Sequence, residues 1–454
     1  MKNLVLITVD CLRYDAIRSD LTPNIEDLAN GLFFESAYSV ASWTAPSFIG
    51  ILTSTYPLMY NGELTVKSPR ISIAQVLKQK GYLTAGFTFH PYLSKIYGYN
   101  RGFDDYFDDF GALDQEKKYK LANRLQKLGL RFLVFEKLRK RLSYLNYIYY
   151  MRYRLKHDFK FYLPGNKVNR RVMDWVDEKK QNPFFIWIHY MDVHFPYLPS
   201  GEDCADKEEA IRLNIEREKW FRGSKDVDAT DLEKLKDLYM AKVRDVDRYI
   251  GELIRSFKER GLYDDTIFVL TADHGEEFFE HGEFHHEFKL YDELIHVPLL
   301  MFGNGIKGKK IEKTVSSVDL APTLIDLLGI KKPKEWVGEN MLLKENGIAI
   351  SEEGQEYRGD SRRDDGGFRM NLTAKKVSLI HGGWKYIYNE HGTDEFYNLI
   401  KDPMEGENMI DEEGKMAEKF LEKVGKHLKE ISFNGMDGVD VRKTIGKLKH
   451  QGRM

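Results

Sequence analysis

Leu4-Val5-Leu6-Ile7-Thr8-Val9-Asp10 is a mostly apolar run that ends in a carboxylate. Two more short runs, residues 183–188 and 266–271, are apolar on both faces. Such runs are typical of a parallel sheet that helices cover on both sides. Helical patterns separate them, for example over residues 231–258. We therefore predict an α/β fold with a mostly parallel central sheet flanked by helices.

The composition excludes several classes of protein. The chain has 454 residues, of which 42% are hydrophobic and 31% charged, so a packed core is expected. The net charge of −2 argues against a nucleic-acid partner. Only two cysteines occur, which excludes a disulfide framework. No apolar run approaches the ~20 residues of a membrane span, and no leader is evident. We expect a cytoplasmic protein.

Two domains are predicted, over residues 1–345 and 346–454. The second contains strand-like stretches at residues 375–380, 384–388 and 395–399, which indicate an antiparallel meander. An apolar helical stripe follows them. Its members are Ala417, Phe420, Leu421, Val424, Leu428 and Ile431. This pattern predicts a small α+β domain after the larger one.

A basic segment interrupts the first domain at about residues 112–165. Residues 115–160 contain 14 lysines and arginines against three acids, with aromatic residues between them. One interpretation is peripheral contact with an anionic membrane. The other is an ordinary helical insertion with a solvated face. A second polar, glycine-rich stretch, residues 357–367, predicts a mobile loop.

Polar residues follow three of the predicted strands. Asp10 ends the first strand, Asp273 and His274 follow a later one, and Asp192 and His194 follow residues 183–188. Ligands bind at the carboxyl edge of such sheets. Carboxylate with imidazole suits zinc or manganese, and carboxylates alone suit calcium or magnesium. Each residue also has a structural alternative: Asp10 as a helix cap, the others as hydrogen-bonded residues.

Histidines are concentrated in the same part of the chain. Five of the thirteen lie between residues 274 and 296: His274, His281, His285, His286 and His296. Chance clustering at this density is uncommon, so the cluster favours a site. For His281 and His296 taken singly, a structural role is the simpler interpretation.

Thr44 stands where a helix is expected to begin. Pro46 fits the first turn of a helix, where its missing N–H costs nothing. A hydroxyl at that point faces unpaired backbone N–H groups and the positive end of the helix dipole, which favour a phosphate or sulfate. The alternative is that Ser42 or Thr44 only caps the helix.

Together these motifs resemble the sulfatase branch of the alkaline phosphatase superfamily. The motifs that carry the resemblance are residues 7–15 (ITVDCLRYD), 44–47 (TAPS), 273–276 (DHGE), 290–293 (LYDE), 319–323 (DLAPT) and 396–399 (FYNL). The resemblance implies an alkaline-phosphatase-like catalytic domain over 1–345. It also implies one or two divalent ions, Zn, Mn, Ca or Mg, held by Asp10, Thr44, Asp273 and His274.

The sequence departs from the sulfatase pattern at the nucleophile. Sulfatases carry a Cys or Ser that becomes formylglycine, whereas this chain has Thr44, which cannot follow that route. A threonine nucleophile resembles the phosphodiesterases and phosphoryl transferases of the superfamily. Cys11 replaces a second aspartate, so it is either a soft ligand or a small buried residue. His286 occupies the position before Leu290 where phosphoryl-transfer relatives place a histidine.

The resemblance predicts phosphoester hydrolysis or phosphoryl transfer through a covalent Thr44 intermediate. His194 and His286 would bind the oxyanion or protonate the leaving group, or complete a second ion site with Asp192. The substrate would be a small-molecule, glycan or lipid-headgroup ester. Three alternatives stay open: a sulfatase that works without formylglycine, a catalytically silent binder of anionic ligands, and a membrane-surface transferase.

Overall fold

The computed structural model describes residues 2–108, 152, 162–179, 183–198, 206–221, 223, 226–286, 288–345, 347–354, 369–370, 372 and 375–433. Of the predicted basic insertion, only residues 152 and 162–165 belong to these ranges. The interpretations of residues 115–160, and the loop predicted at 357–367, fall outside the described residues.

An eight-stranded sheet forms the centre of the larger part of the chain. Its strands are β1 (Asn3–Val9), β2 (Leu32–Phe34), β3 (Leu83–Phe87), β4 (Asp105–Phe107), β5 (Phe184–Tyr190), β6 (Thr266–Ala272), β7 (Leu299–Gly303) and β8 (Lys309–Ile311). Their order is β8-β2-β7-β6-β1-β5-β3-β4. Within the eight strands that the structure describes in this sheet, only β7 runs antiparallel to its neighbours. The predicted mostly parallel sheet is confirmed.

Strand β1 lies in the middle of this sheet. It pairs in parallel with β5 on one side and β6 on the other, and all of its residues are buried. Strands buried on both faces explain why these three runs are apolar without alternation. Pro298 precedes the first residue of β7, so the N–H group that proline lacks removes no hydrogen bond between the strands.

Helices cover both faces of the sheet. They are α1 (Pro23–Leu28), α2 (Thr44–Thr53), α3 (Ile73–Gln79), α4 (Gly165–Lys179), α5 (Lys207–Phe221), α6 (Ala229–Glu259) and α7 (Leu320–Leu327). Shorter helical turns span Tyr14–Ala16, Met59–Gly62, Pro91–Leu93, Lys95–Tyr97, Asp292–Ile295 and Ser317–Asp319. Two-residue strands pair Ala37–Tyr38 with Val315–Ser316, and Glu277–Phe278 with Phe284–His285. No helix of the described residues is long and apolar enough to cross a membrane.

A second, antiparallel sheet follows the first. Its strands β9 (Ile348–Gly354), β10 (Lys375–His381), β11 (Trp384–Asn389) and β12 (Glu395–Asn398) pair in chain order. Helix α8 (Gly414–Phe433) packs on it, and the whole predicted apolar stripe is buried. The predicted meander and helix are confirmed.

The two sheets share one apolar core and a buried ion network. Phe48 of α2 and Phe420 of α8 belong to the same cluster of buried side chains. Lys385 of β11 is fully buried and lies 2.5 Å from Asp292 and 2.8 Å from Glu405. Glu405 also accepts a hydrogen bond from the Asp292 backbone N–H at 2.6 Å. The LYDE segment therefore joins the smaller sheet to the larger one.

Candidate active site

Asp10 and Asp273 lie side by side at the carboxyl edge of the central sheet. β1 ends at Val9 and β6 at Ala272, and these two residues are register partners. The next residue of each strand is therefore delivered to the same edge. Both carboxylates are fully buried. Adjacent parallel strands thus bring together two acids that are more than 260 positions apart.

Thr44 is the first residue of α2. Its neighbour Trp43 is the N-cap and makes no side-chain cap bond, and the Ser42 hydroxyl donates to Glu353. Pro46 lies in the first turn, where no N–H is needed. The Thr44 Oγ1 atom lies 3.3 Å from Nε2 of His274. The predicted nucleophile therefore faces the residues that follow β6.

Backbone contacts set the tautomer of His274. Its Nδ1 donates a hydrogen bond to the Gly275 carbonyl at 2.8 Å, because a carbonyl oxygen only accepts. In the tautomer that carries its proton on Nδ1, the ring presents the Nε2 lone pair toward Thr44. This arrangement suits a metal ligand or a proton acceptor, and the backbone carbonyl fixes the ring's orientation.

These four residues fit a divalent ion. Nε2 of His274 lies 3.3 Å from Thr44 Oγ1, 3.4 Å from Asp273 Oδ2 and 3.7 Å from Asp10 Oδ1. Nitrogen and oxygen ligands of one tetrahedral ion stand about 3.3 Å apart when each bond is about 2.0 Å. Oδ2 of Asp273 is buried without a hydrogen-bond partner. The distances around Nε2 suit one ion, and two groups of described ligand atoms that lie within 4.8 Å of one another contain Asp10: one with Cys11 and His274, the other with His189 and Asp273. The ion itself stays a prediction.

The two carboxyl groups titrate differently. Burial alone would raise the pKa of Asp10, but His194, His189 and His274 hold that pKa well below its usual range. Burial, and then the charge of Asp10, raise the pKa of Asp273 well above its usual range. A cation between the two acids would favour the charged form of both.

His189 is a site residue that sequence reasoning missed. It lies on β5 beside Thr8 of β1, fully buried, and its Nε2 donates to Asp10 Oδ2 at 3.2 Å. Nδ1 contacts the Thr8 hydroxyl at 3.0 Å. An imidazole in this place orients the carboxylate. The available signal was a histidine at the end of an otherwise apolar strand.

Glu353 of β9 was also missed, and it holds the segment before the nucleophile. Its Oε1 accepts from the Ser42 N–H at 2.9 Å and the Ser42 hydroxyl at 2.8 Å. Its Oε2 accepts from the Trp43 indole N–H at 3.1 Å. The smaller sheet therefore contributes to the approach of the chain to Thr44. Nothing local to Glu353 in the sequence indicates this contact.

Of the remaining predicted site residues, His286 and His194 form a cluster with His274, whereas Asp192 lies elsewhere. The ring centroids of His286 and His274 lie 4.3 Å apart, and those of His194 and His286 lie 5.4 Å apart. Asp192 is not part of this cluster. Its carboxylate accepts from the Gly165 N–H at 3.3 Å and lies 3.9 Å from Lys242.

The predicted partnership of Asp192 with His194 and His286 stays a prediction, and the Asp192 side chain lies at the start of α4. No group of three potential metal ligands within the described ranges includes it. His281 contacts Glu293 at 2.7 Å, and His296 stacks on Tyr14 and Tyr38. These two histidines make structural contacts away from Thr44.

His90 makes the stability of the protein depend on pH. Burial lowers its pKa to about 3 from the ordinary 6.5. The unfolded chain therefore takes up a proton below pH 6.5 that the folded protein does not bind, so stability falls as the pH drops. In the metal-free protein we expect this histidine to contribute a loss of roughly 3 kcal/mol between pH 6.5 and about pH 4.

Denaturant unfolding at several pH values checks this expectation. His90→Gln should flatten the acid side of the stability profile, whereas His391→Gln, at an exposed position, should leave the slope unchanged. An equal slope in wild-type protein and His90→Gln would contradict the role of His90.

Comparisons with known proteins identify the relatives of this chain. The family model described as Sulfatase matches residues 2–330, and that of the N-sulphoglucosamine sulphohydrolase C-terminal region matches residues 279–433. Arylsulfatase K of Mus musculus is 30% identical over 186 residues, which are 40% of this chain and 34% of that protein. Choline-sulfatase of Rhizobium meliloti is 24% identical over 260 residues, 52% of this chain and 48% of that protein.

The fold has close structural counterparts. The phosphonate monoester hydrolase of Agrobacterium radiobacter superposes with a TM-score of 0.67 at 18% identity, over 95% of this chain and 96% of that one. At this identity the likeness concerns the fold. The matched region spans about a third of the arylsulfatase K chain. The family model, by contrast, covers most of this sequence, from the first strand to the end of α7. The chain belongs to the sulfatase family.

Proposed function

We propose that this protein hydrolyses phosphoric esters, or transfers their phosphoryl group, with Thr44 as the nucleophile. The observation that carries the proposal is the position of the Thr44 hydroxyl. It stands at the start of a buried helix, 3.3 Å from Nε2 of His274, and that nitrogen lies 3.4 Å from Asp273 and 3.7 Å from Asp10. A hydroxyl, a helix N-terminus and a cation site then converge on one point.

Asp10, Asp273 and His274 would hold a divalent ion together with Thr44. When bound, the ion supplies positive charge that lowers the pKa of a hydroxyl and stabilises developing negative charge. His189 keeps the Asp10 carboxylate in place through its Nε2 proton. The Gly275 carbonyl keeps the Nε2 lone pair of His274 turned toward the hydroxyl. These contacts preorganise the nucleophile before a substrate arrives.

Thr44 would attack phosphorus in line with the leaving oxygen, forming a phosphothreonine ester that water then cleaves. The unpaired N–H groups of the first turn of α2 would bind the ester oxygens. Oxyanion binding or leaving-group protonation by His194 and His286 remains a prediction. The substrate's organic portion would be a small molecule, a glycan or a lipid headgroup.

The relatives favour a second candidate, a sulfuric ester hydrolase that works without formylglycine. Proteins named arylsulfatase K and choline-sulfatase share this chain's family, although the matches cover only 34% and 48% of them. Thr44 itself favours the phosphoryl reaction, because a threonine cannot give the formylglycine aldehyde. The two candidates share the same residues and differ in the ester they cleave.

Parallel assays of the full chain decide between them. Nitrophenyl phosphate, bis(nitrophenyl) phosphate and nitrophenyl sulfate would be tested with Zn, Mn, Ca or Mg added. We expect kcat/KM for one of the phosphate esters to exceed that for the sulfate by at least about tenfold, or about 1.4 kcal/mol.

A faster sulfate reaction would overturn the proposal in favour of the second candidate. No turnover of any ester, together with metal-dependent thermal stabilisation by phosphate, would indicate the catalytically silent binder. A phosphate-ester preference combined with transfer to an added alcohol would indicate a transferase.

A further inference from the structure

A continuous arc of aromatic rings runs past the proposed nucleophile. Successive ring centroids along it lie between 4.0 and 6.3 Å apart. The members of this aromatic arc, in spatial order, are Tyr92, His90, His194, His286, His285 and Phe221. In its middle, the ring of His286 lies 4.3 Å from that of His274, whose Nε2 is 3.3 Å from the Thr44 hydroxyl. The aromatic arc therefore borders the point at which an ester would be attacked.

Both ends of the aromatic arc are open to solvent. Tyr92 is 39% exposed and Phe221 is 47% exposed, and His194 and His285 between them are partly exposed. Eight large hydrophobic side chains are exposed in the part of the chain that the structure describes, and two of them stand at the two ends of this arc. A single exposed apolar residue needs no explanation, but a group of them beside a site favours contact with an apolar ligand.

The Tyr92 end is tied to the segment that carries the nucleophile. His90 lies in the loop after β3, and its Nδ1 accepts a hydrogen bond from the Tyr92 backbone N–H at 3.2 Å. The Tyr92 ring meets the Trp43 ring edge to face, with centroids 6.0 Å apart. Trp43 directly precedes Thr44. One wall of the aromatic arc is thus held beside the start of α2.

The Phe221 end is held by α5 and by a strained histidine. Phe221 is the last residue of α5, and its ring meets that of His285 at 5.2 Å. The φ of His285 is 100°, which is costly for a residue with a Cβ, and such strain is concentrated at functional sites. One turn before Phe221, the buried Arg217 guanidinium lies 5.5 Å from the Phe221 ring and 4.4 Å from the Phe195 ring. The second wall is therefore packed against a buried cation.

The charges around the aromatic arc favour an uncharged ligand. Burial lowers the pKa of His90 to about 3 and the pKa of His285 well below its usual range, so both rings are neutral near pH 7. The guanidinium of Arg217 would repel a second cation at Phe221. Neutral aromatic rings bind another flat ring by offset stacking or edge-to-face contact, with centroids about 4.5–7 Å apart.

We infer that the aromatic arc is a leaving-group subsite for a flat, uncharged aromatic ring, with Tyr92 and Phe221 as its two walls. The inference rests on the proposed function, because it places the ring on the ester that Thr44 attacks, and it names the organic portion that the proposed function leaves open. The Thr44 oxygen forms its bond to phosphorus as the bond from phosphorus to the leaving oxygen breaks. The ring departs as its alcohol or phenol, whose oxygen keeps the electron pair and takes up a proton that balances the one released by Thr44.

Other organic groups fit the aromatic arc less well. A quaternary ammonium would meet the charge of Arg217. A sugar can stack the C–H groups of one face on an aromatic ring, but its hydroxyl groups then need polar partners. An alkyl chain gains apolar burial but no stacking. A flat aromatic ring can use both walls, because its faces and its edge all make favourable contacts with other rings.

A matched pair of esters tests the inference on the full chain. Benzyl and cyclohexylmethyl esters of the acid that the parallel assays favour have similar leaving oxygens, but only the benzyl ring is flat and aromatic. We expect the wild-type kcat/KM for the benzyl ester to be at least about fivefold higher. Tyr92→Ala and Phe221→Ala should each lower kcat/KM for the benzyl ester by about three- to tenfold more than for the methyl ester.

Two further variants separate the ring from general effects of mutation. Tyr92→Phe keeps the ring and should keep the benzyl preference. Leu343→Ala removes an apolar side chain that is 74% exposed and lies outside the aromatic arc, so it should leave the preference unchanged. Equal losses for the benzyl and methyl esters in Tyr92→Ala and Phe221→Ala would overturn the inference. So would a wild-type preference for the cyclohexylmethyl, octyl, choline or glucosyl ester.

Binding of benzylphosphonate, which has no ester bond to cleave, separates this inference from the proposed function. Calorimetry should find that it binds the metal-loaded wild-type chain more tightly than methylphosphonate does, and that Phe221→Ala reduces this difference. The same result in a protein that turns over no ester would refute the proposed function and support the subsite. Equal affinities for the two phosphonates, in a protein that does cleave esters, would overturn the subsite alone.

Discussion

Replacing Thr44 with alanine should abolish ester turnover, by about 10³-fold or more, and leave an ion still bound. The hydroxyl lies 3.3 Å from Nε2 of His274 and is the proposed nucleophile, so its loss removes the attacking oxygen. Asp10, Asp273 and His274 would still hold the ion. Steady-state kinetics on the preferred ester and elemental analysis of the same preparation measure the two effects together.

Thr44→Ser is the matched variant, because it keeps the oxygen and removes only the methyl group. It should retain turnover, and mass spectrometry of a rapidly quenched reaction should find the transferred group on residue 44 in the wild-type protein. Turnover in Thr44→Ala close to that of the wild type would remove the nucleophile assignment. Loss of turnover together with loss of the ion would show that the hydroxyl acts first as a ligand.

Replacing Asp273 with asparagine should have opposite effects on metal affinity and on the stability of the metal-free protein. Replacing a residue that only hydrogen-bonds to a metal ligand typically lowers metal affinity by about 10- to 100-fold. Removing a carboxylate that itself binds the metal should therefore weaken metal binding by at least about 100-fold. Without an ion, however, Asp273 is a buried carboxyl close to Asp10, and its Oδ2 has no hydrogen-bond partner. The variant should therefore unfold at a higher temperature than the wild type when both are metal-free.

Competition with a chelator measures the affinity, and thermal unfolding with and without metal measures the stability. Asp265→Asn, which changes a carboxyl just before β6, controls for the loss of a charge. Unchanged affinity in Asp273→Asn would exclude Asp273 as a ligand. A metal-free variant less stable than the wild type would show that the carboxylate has a structural role instead.

Local patterns were sufficient to predict the strands and the residues that follow them. Asp10 and Asp273 were recognisable because each ends a run of buried residues, and Thr44 because Pro46 marks a first helical turn. The predicted sheet, meander and final helix have the periodicity expected of their burial. Such signals depend only on neighbours within a few residues.

The contacts made by His189, Glu353 and Asp192 depended on long-range packing. His189 meets Asp10 because β5 lies next to β1, although the two strands are about 180 positions apart. Glu353 meets Ser42 because β9 packs beside the start of α2. Asp192 comes shortly after β5, the strand that contains His189, but its carboxylate turns to Gly165. The order of strands and the direction of a loop leave no local pattern.

The sequence by itself determined which side chains are available at the site: a carboxylate directly after each of the buried strands β1 and β6, a hydroxyl at the start of a helix, and a cluster of histidines. Only the tertiary structure decided which of them meet, and it placed Cys11 against His286 and kept Asp192 apart. The physical reason is that the periodic burial of side chains is encoded by residues close together in the sequence. The meeting of side chains at a sheet edge depends instead on strand order and core packing, which involve residues far apart in the chain.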